Sequence, residues 1–342
     1  MNHIKTIVLF IAILLNFSCK SAKDQEPKTA DITKYVNTIT AADLKKHLII
    51  VAGDEMEGRN TGSPGQKKAG KYLIGQYEAN GIPFPKGADN YYQNIPASFF
   101  VRAKGEVLPD SENIWAFIEG TEKPDEIVVL SAHYDHVGMK DGEVYNGADD
   151  DGSGTVAMLE MAQAFAQAKK DGVGPKRSIL ILHFTGEEHG LHGSRFYSEN
   201  PIFPLANTVA NVNIDMIGRR DLLHPNTNNY VYVIGADRLS TDLHNIVVAA
   251  NEKQIGLDLD FRFNDVNDPN RYYFRSDHYH FAKHGIPSVF FFNGVHEDYH
   301  KPTDTEDKIE YDALTKRTRL AFLTAWEVAN RNERLVVDKS GK

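Results

Sequence analysis

The chain has 342 residues, of which 47 are acidic and 38 basic, so its formal charge at pH 7 is −9. This acidic balance, without a block of Lys or Arg, argues against nucleic acid as a partner, and 41% hydrophobic residues exclude a disordered chain. A single cysteine, Cys19, excludes both an internal disulfide framework and a zinc site built from cysteines.

The first predicted element is the N-terminus, whose pattern indicates export. Lys5 precedes an apolar run from Ile7 to Leu15, which is too short to span a bilayer and is typical of a signal peptide. Residues 1–19 resemble a bacterial lipoprotein signal, in which Cys19 becomes the lipid anchor, although Asn16 stands where that pattern prefers Leu. The alternatives are an ordinary secretory signal and a retained membrane anchor. All three place the remaining chain outside the cytoplasm, as a periplasmic, cell-surface or secreted protein.

The rest of the chain divides into a polar tether at 20–40, a body at 41–334 and a tail at 335–342. Helix and strand patterns alternate through the body. The predicted helices cover 41–52, 65–79, 154–170, 238–253 and 310–331. The predicted strands are Asn113–Ile118, Glu126–Ala132, Ser178–Phe184, Thr208–Met216, Tyr230–Gly235 and Pro287–Phe292.

Several predicted strands are nearly continuous apolar runs, such as IVVL and SILILHF, which is typical of strands covered by helices on both faces. The alternation of strand and helix predicts right-handed crossovers and a mostly parallel sheet. We therefore expect the α/β class, with one domain of about 300 residues. In such sheets the ligand site lies beyond the carboxyl ends of the strands.

Carboxylates and imidazoles follow the ends of several predicted strands. No Lys or Arg accompanies most of these groups, and converging carboxylates repel one another unless a cation lies among them. A metal cluster is the simplest explanation. The segments concerned are HYDHVG from His133, NGADDDGSG from Asn146, TGEEHGLHGS from Thr185, NIDMIG from Asn213 and DYHKPTDT from Asp298.

These five segments, in this order, resemble the dizinc aminopeptidase family, metallopeptidase family twenty-eight. Its kin include bacterial leucyl aminopeptidases, glutamate carboxypeptidase and glutaminyl cyclase. The resemblance covers residues 41–333, because DEMEGRNTGSPGQKKAGKYL is similar to the start of that catalytic domain. It implies a single-domain zinc-exopeptidase fold at 41–334: a mostly parallel mixed sheet with helices on both faces, like that of phosphorylases and hydrolases.

The resemblance also implies two zinc ions per chain. His133 and Asp215 would hold one ion and Glu188 and His300 the other, while Asp150 would bridge them, with Asp149 as the alternative bridge. A cis peptide bond between Asp150 and Asp151 is expected from the family. These residue types suit the metal, since zinc accepts His nitrogen and carboxylate oxygen.

The remaining roles follow from the same resemblance and from the chemistry of hydrolysis. Hydrolysis needs a base that takes a proton from the attacking water and is not itself bound to metal. Of the two adjacent glutamates, Glu188 would bind the metal while Glu187 faces the water. Asp135 would orient His133 from outside the ligand set. Tyr299 is either a hydrogen-bond donor to the developing oxyanion or a packed loop tyrosine. Asp151 is expected beside the ligands, as a cap of the following helix.

Several nearby residues remain open. We expect His136, His189 and His192 to lie around the ligands or on the surface. Phe290, Phe291 and Phe292 are expected in the core of a strand, and the aromatic segment at 269–274 is a candidate wall of a substrate pocket. The segment Ser276-Asp277-His278 either caps a helix or faces that pocket.

The function that these features indicate is a zinc-dependent exopeptidase, most simply an aminopeptidase acting on peptides, with no protein partner implied. One rival is a single-zinc glutaminyl cyclase on the same fold. The other is a lipoprotein that binds peptides without cleaving them, which would have no use for a free base such as Glu187.

Overall fold

The computed structural model describes residues 31–100 and 107–341. The predicted signal, Cys19 and the first part of the tether lie outside the described residues. Among the helices in the described ranges, none is long and apolar enough to cross a bilayer.

An eight-stranded mixed sheet forms the centre of the fold, in the order β1-β2-β6-β3-β7-β10-β8-β9. Strands β6, β3, β7 and β10 run parallel to one another, and so do β8 and β9, whereas the pairs β1–β2, β2–β6 and β10–β8 are antiparallel. A separate hairpin pairs β4 with β5. The strands are β1 Tyr92–Ile95, β2 Ser111–Ile118, β3 Lys123–His133, β4 Gly138–Lys140, β5 Glu143–Tyr145, β6 Arg177–Phe184, β7 Thr208–Ile214, β8 Tyr230–Ile234, β9 Asp258–Asp260 and β10 Ser288–Phe292.

Helices cover both faces of this sheet, so the expected α/β class with a mostly parallel sheet is confirmed. On one face α2, α4 and α9 pack on one another, and α4 and α9 also contact β3. On the other face α8 contacts β7, β10 and α5. The helices are α1 Ile32–Val36, α2 Ala41–Val51, α3 Pro64–Ala79, α4 Gly154–Lys170, α5 His192–Glu199, α6 Ala236–Leu239, α7 Thr241–Ala250, α8 His278–Ala282 and α9 Tyr311–Asn330.

Side-chain caps explain why two of the predicted helices begin where they do. The Thr40 hydroxyl accepts a hydrogen bond from Asp43 N at 3.1 Å, at the start of α2. At α3 the Ser63 hydroxyl accepts from Gln66 N at 3.2 Å, and Pro64 occupies the first helical position. Both caps satisfy backbone donors that a helix leaves unpaired at its start.

The described end of the predicted tether is folded, which corrects the assignment of residues 31–40. Tyr35, Val36 and Ile39 are buried, and the Tyr35 hydroxyl donates to Asp171 at 3.0 Å. Three buried side chains in a short polar segment are enough to hold α1 against the body. The predicted tail is also attached, because Leu335 is buried and Gly341 N donates to Arg238 O at 3.0 Å.

The helix predicted at 238–253 is divided. Ser240 has an extended backbone, with φ −143°, and separates α6 from α7. Its hydroxyl accepts from Leu243 N at 3.3 Å, so the serine caps a new helix instead of continuing the old one. A wider π-type turn at Asn251–Ile255 follows α7.

Arg317 ties α9 to the segment that follows β7. Its guanidinium is fully buried and donates to four carbonyl groups at distances between 2.5 and 3.1 Å. Because it satisfies four main-chain acceptors at once, the side chain holds the loop after β7 in place. The acceptors are Ile217, Arg219, Asn228 and Tyr230.

We expect Arg317→Met to lower the free energy of unfolding by about 3–5 kcal/mol, because it leaves buried carbonyl groups without donors. Arg319→Met is the matched control, since Arg319 is half-buried and donates only to Ile39 O. Its expected cost is about 1 kcal/mol. Guanidinium chloride unfolding followed by circular dichroism measures both values. Equal losses in the two variants would contradict this role of Arg317.

Candidate metal centre

His133 is the last residue of β3, so its side chain lies at the carboxyl end of that strand. The side chain is 1% exposed, and its Nδ1 lies 3.0 Å from the main-chain oxygen of Asp135. That contact leaves Nε2 facing three carboxylates, at 3.3 Å from Asp150, 3.6 Å from Asp215 and 3.9 Å from Glu187. The ring is therefore oriented by the turn that follows it, with one nitrogen aimed at the acids.

Asp135 reaches the site by a different route from the one expected. Its carboxylate is 3.7 Å from His133 Nδ1 and accepts hydrogen bonds from the Thr61 hydroxyl at 2.8 Å and from Glu187 N at 3.2 Å. The main-chain oxygen is thus the closer partner of the imidazole. The carboxylate instead joins the loop after β3 to the loop after β6.

The acidic loop before α4 places Asp150 between two histidines. Asp150 Oδ1 faces His133, and Oδ2 lies 3.0 Å from His300 Nε2. Asp149 points elsewhere, because Oδ1 accepts from Gly218 N at 2.6 Å and Oδ2 lies 3.2 Å from His296 Nε2. Of the two candidate bridges, only Asp150 faces both sides of the site.

Backbone contacts hold this loop in shape. The Asp304 carboxylate accepts from Asp149 N at 3.0 Å and from Asp150 N at 3.2 Å. Asp151, joined to Asp150 by a cis peptide bond as the resemblance implies, accepts from Gly154 N at 2.9 Å and from Met216 N at 3.0 Å. These contacts tie the acidic loop to Asp304 on one side and to the segment after β7 on the other.

The two adjacent glutamates after β6 face different partners. Glu188 Oε2 lies 2.9 Å from His300 Nε2, and Oε1 lies 2.7 Å from His136 Nδ1. Glu187 is 12% exposed, and the one basic group within 4.0 Å of its carboxylate in the described residues is His133, at 3.9 Å. One glutamate is thus enclosed by histidines, while its neighbour is more open to solvent and lines a cavity with Asp150 and Asp215.

Asp215, one residue beyond β7, completes the group around His133. Its Oδ1 faces His133, and its Oδ2 accepts from the Ser276 hydroxyl at 2.7 Å. Ser276 in turn accepts from the Asn213 side chain at 2.8 Å. The segment at 276–278 was expected either to cap a helix or to face the pocket. Ser276 faces the site, where it contacts Asp215.

His300 comes from a loop whose conformation Asp298 maintains. The Asp298 carboxylate accepts from the Thr303 hydroxyl at 2.6 Å, from Lys308 Nζ at 2.7 Å and from Arg219 at 3.0 Å. His300 itself has a left-handed backbone, with φ +55°. Such a conformation is unusual for a residue with a side chain, so the surrounding contacts must hold it.

Tyr299 stacks on the ring of His300, with the ring centroids 3.9 Å apart. Burial and the charges of Asp150 and Glu188 raise the pKa of Tyr299 far above its usual value. The phenol therefore stays protonated and can donate a hydrogen bond into the cavity that it lines.

Like charges dominate the electrostatics of the site. Burial alone would lower the pKa of His133, but the charges of Glu187 and Asp215 outweigh it and raise that pKa well above its usual value. Burial raises the pKa of Glu187 well above its usual value, and the neighbouring charges of Asp215 and Glu188 add to the effect. Both shifts indicate a site with excess negative charge, where a cation would be stabilised.

The chemistry of the donor atoms fits metal ions. His133 Nε2, Asp150 Oδ2 and Glu188 Oε1 are buried without a hydrogen bond of good geometry. Two sets of three ligand atoms in the described residues lie within 4.8 Å of one another: His133, Asp151 and Asp215 form the first set, and His136, Asp150 and Glu188 the second. Buried ligand atoms that lack a hydrogen-bond partner and lie close to one another are what a cation site requires.

These sets differ from the expected ligands at two positions. Asp151 replaces Asp150 in the first set, but one of its oxygens already accepts two backbone hydrogen bonds. His136 replaces His300 in the second set, although His300 Nε2 is as close to Glu188. His136 was expected only near the ligands, and its position in the HYDH segment was the available signal that it would face the acids.

A small cavity of about 30 Å³, with both polar and aromatic walls, opens beside Asp150, Glu187 and Asp215. Phe290 and Phe292 are buried in β10 as expected and also form its wall, whereas only Tyr272 of the aromatic segment at 269–274 reaches it. The other lining residues are Met216, Arg275, Val295 and Tyr299. A larger groove of about 950 Å³, lined by 79–88 and part of α4, contains none of the acids or histidines described above.

Comparison with protein families places these segments in a known group. The profile of Peptidase family M28 matches residues 113–325, more than half of the chain, and that range contains His133, Asp150, Glu187, Asp215 and His300.

The names of two curated relatives imply action at opposite ends of a peptide, one at the C-terminus and the other at the N-terminus. The chain is 36% identical over 110 residues to a probable glutamate carboxypeptidase of Arabidopsis thaliana, covering 32% of this chain and 15% of that protein. It is 29% identical over 224 residues to a probable leucine aminopeptidase of Trichophyton verrucosum, covering 64% and 57%. The chain therefore spans less than two thirds of the length of either relative.

Solved structures share the fold at lower identity. The aminopeptidase from Aneurinibacillus sp. strain AM-1 has a TM-score of 0.65 and 16% identity, covering 90% of this chain and 98% of that one. The glutaminyl cyclase of Porphyromonas gingivalis has a TM-score of 0.66 and 19% identity, covering 83% and 97%. One fold thus occurs in enzymes with different named reactions, so the reaction must be argued from the site.

The loop of His300 leads to a prediction about pH. Burial opposes ionisation of Asp298, but hydrogen bonds from Lys308, Thr303 and Arg219 outweigh it and hold its pKa well below the usual value. A pKa lowered by folding stabilises the protein above about pH 4, the unfolded value, and this contribution is lost as the pH falls further. We expect Asp298→Asn to lower the free energy of unfolding at pH 7 by about 1 kcal/mol.

Urea unfolding between pH 7 and pH 3.5 tests this dependence, with Glu297→Gln as the control that removes the same charge from an exposed neighbour. The difference between wild type and Asp298→Asn should be constant above about pH 5 and should narrow below about pH 4. A difference that widens on acidification, or one that Glu297→Gln reproduces, would contradict this role of Asp298.

Proposed function

The chain belongs to peptidase family M28, and on that basis we propose that it is an aminopeptidase which holds two zinc ions and hydrolyses the first peptide bond of its substrates. One observation carries the proposal: each oxygen of the Asp150 carboxylate faces a different histidine, His133 on one side and His300 on the other. A carboxylate in that position can join two metal centres.

In this proposal His133 and Asp215 hold one ion, Glu188 and His300 hold the other, and Asp150 is shared. The 3.6 Å approach of Asp215 to His133 and the 2.9 Å approach of Glu188 to His300 support the pairing. When bound, the two ions would polarise the scissile carbonyl and lower the pKa of a water towards neutrality.

Glu187 is the general base of this scheme. It lines the cavity beside Asp150 and Asp215, and it is not enclosed by histidines as Glu188 is. Its carboxylate takes a proton from the water and returns it to the leaving amine. The hydrogen bond from Glu187 N to Asp135 fixes the backbone that presents this carboxylate.

Other groups of the site orient the substrate. Tyr299, with its protonated phenol, donates a hydrogen bond to the oxygen that becomes negative during attack on the carbonyl. The carboxylates beside the cavity attract the free α-amine, and Phe290 and Phe292 offer apolar contact to the first side chain. Since the N-terminal pattern indicates export, these peptides would be extracytoplasmic.

Product analysis separates this proposal from its rivals. The zinc-loaded protein is incubated with a defined peptide mixture and the products are read by mass spectrometry. Stepwise loss of N-terminal residues is the expected result. Shortening from the C-terminus would indicate a carboxypeptidase, loss of ammonia from an N-terminal glutamine a cyclase, and unchanged peptides a binding protein.

The base is tested with its neighbour as the control. We expect Glu187→Gln to lower kcat by about 10²–10⁴-fold while the zinc content stays at the wild-type value, because an amide cannot accept the proton. Glu188→Gln removes the same charge one residue away and should lower the zinc content itself. Zinc content is measured by atomic absorption alongside turnover of a leucyl anilide. Unchanged turnover in Glu187→Gln would refute its assignment as the base.

The shared carboxylate is tested by comparing two adjacent aspartates. Asp150→Asn should lose at least one of the two zinc ions, since a neutral amide is a poor bridge between two cations. Asp149→Asn is the control, because Asp149 faces Gly218 and His296 and should leave the zinc content unchanged. Retention of two ions by Asp150→Asn would refute the bridge, and their loss from Asp149→Asn alone would transfer that role to Asp149.

A further inference from the structure

Arg275 is the one cationic side chain among the residues that line the cavity beside Asp150 and Glu187. The other walls of this cavity are the apolar and aromatic side chains of Met216, Tyr272 and β10, together with Val295. Neither the general base nor the proposed ligand set makes use of the arginine.

The position of Arg275 is set by its neighbours in the chain. On one side Arg275 N donates to Tyr272 O at 3.0 Å, closing a short 3₁₀ turn. On the other side Ser276 donates to Asp215 at 2.7 Å. Tyr272 N donates to Asp268 at 3.0 Å, which fastens the start of the same turn. The guanidinium therefore projects from a backbone fastened at both ends.

No carboxylate in the described residues pairs with this guanidinium. It lies over the ring of Tyr272, 5.0 Å from the ring centroid, and makes no ion pair within 4.0 Å across 31–100 and 107–341. Two other arginines near this part of the fold do have such partners: Arg262 pairs with Asp260 and Arg219 with Asp298. Arg275 thus keeps its charge and its hydrogen-bond donors available to a ligand.

The surroundings favour a carboxylate as that ligand. Arginine presents donors in a planar fork that matches the two oxygens of a carboxylate, and an aromatic ring behind the guanidinium holds it in place. Arg275 is exposed to solvent, so a charged ligand can reach its guanidinium. The acids of the site would be balanced by the metal ions, so Arg275 is not required to neutralise them.

We infer that Arg275 binds a carboxylate of the substrate and so determines specificity, an inference that rests on the proposed peptidase function. Two sources supply such a group at the first peptide bond. One is the side chain of an N-terminal Asp or Glu, and the other is the free C-terminus of a dipeptide. In either case the enzyme prefers the charged substrate over its neutral isostere.

Two pairs of substrates distinguish the sources. Glutamyl and glutaminyl anilides differ only in the side-chain carboxylate, and leucyl-glycine and its amide differ only in the C-terminal one. The readout is the ratio of kcat/KM for the charged substrate to that for the neutral one. We expect wild type to favour the charged member of at least one pair.

Arg275→Gln should lower that ratio by about 3–10-fold, the effect of one charge-assisted pair that remains open to solvent. Arg275→Lys should give an intermediate ratio, because lysine keeps the charge without the fork. Arg271→Gln is the matched control: Arg271 belongs to the same loop and lies 5.0 Å from the Phe274 ring centroid, but it does not line the cavity. Its ratio should equal that of wild type.

A wild-type ratio near one in both pairs would overturn the inference, and so would an unchanged ratio in Arg275→Gln or an equal fall in Arg271→Gln. Failure of the proposed function is a separate outcome, in which wild type cleaves none of the four compounds. Calorimetric titration of the zinc-loaded protein with the same compounds then gives the ratio from binding alone. Loss of the preference in Arg275→Gln supports the carboxylate site, and no preference in wild type refutes it.

Discussion

The carboxylate of Asp150 faces two histidines at once, and much of the surrounding backbone is arranged to hold it there. Asp304 accepts hydrogen bonds from the backbone of the acidic loop, and Asp151 fastens the far side of that loop to the segment after β7. The Arg59 guanidinium, fully buried, donates to the main-chain oxygens of Asn146 and Gly147 at 2.6 and 2.9 Å. Since each contact is to the backbone, both oxygens of Asp150 remain free for ligands.

Two fully buried arginines near the site bind main-chain carbonyl groups and not its acids. Arg59 serves the acidic loop and Arg317 the loop after β7, and neither forms an ion pair within 4.0 Å with Asp150 or Asp215. A guanidinium among these carboxylates would satisfy them permanently. Their negative charge is instead kept for ions that a peptidase of this family can use to activate a carbonyl group and a water.

The residues that were predictable from the sequence are those that follow a strand directly. His133 ends β3, and Glu187, Glu188 and Asp215 follow within four residues of the ends of β6 and β7, so the parallel strands bring all of them to the same end of the sheet. Periodicity and apolar runs predicted those strands to within a few residues, because their side chains are buried on both faces. His300 was found by its motif, since no strand leads directly to it.

The contacts that were missed depend on loops that meet across the fold. The ties of Asp298 to Lys308 and of Ser276 to Asp215 join segments whose spacing in the sequence carries no signal. Arg275 was not singled out, because its place in the cavity follows from the turn at Tyr272–Phe274. Residues 31–40 were assigned to a tether because their composition is polar, although Tyr35, Val36 and Ile39 are buried against the body.

We propose that two metal ions share the carboxylate of Asp150. Anomalous diffraction at the zinc edge from crystals of the zinc-loaded protein tests this proposal. Two peaks are expected, one beside His133 and Asp215 and the other beside Glu188 and His300, each in contact with Asp150. A single peak, or peaks that do not contact Asp150, would contradict it.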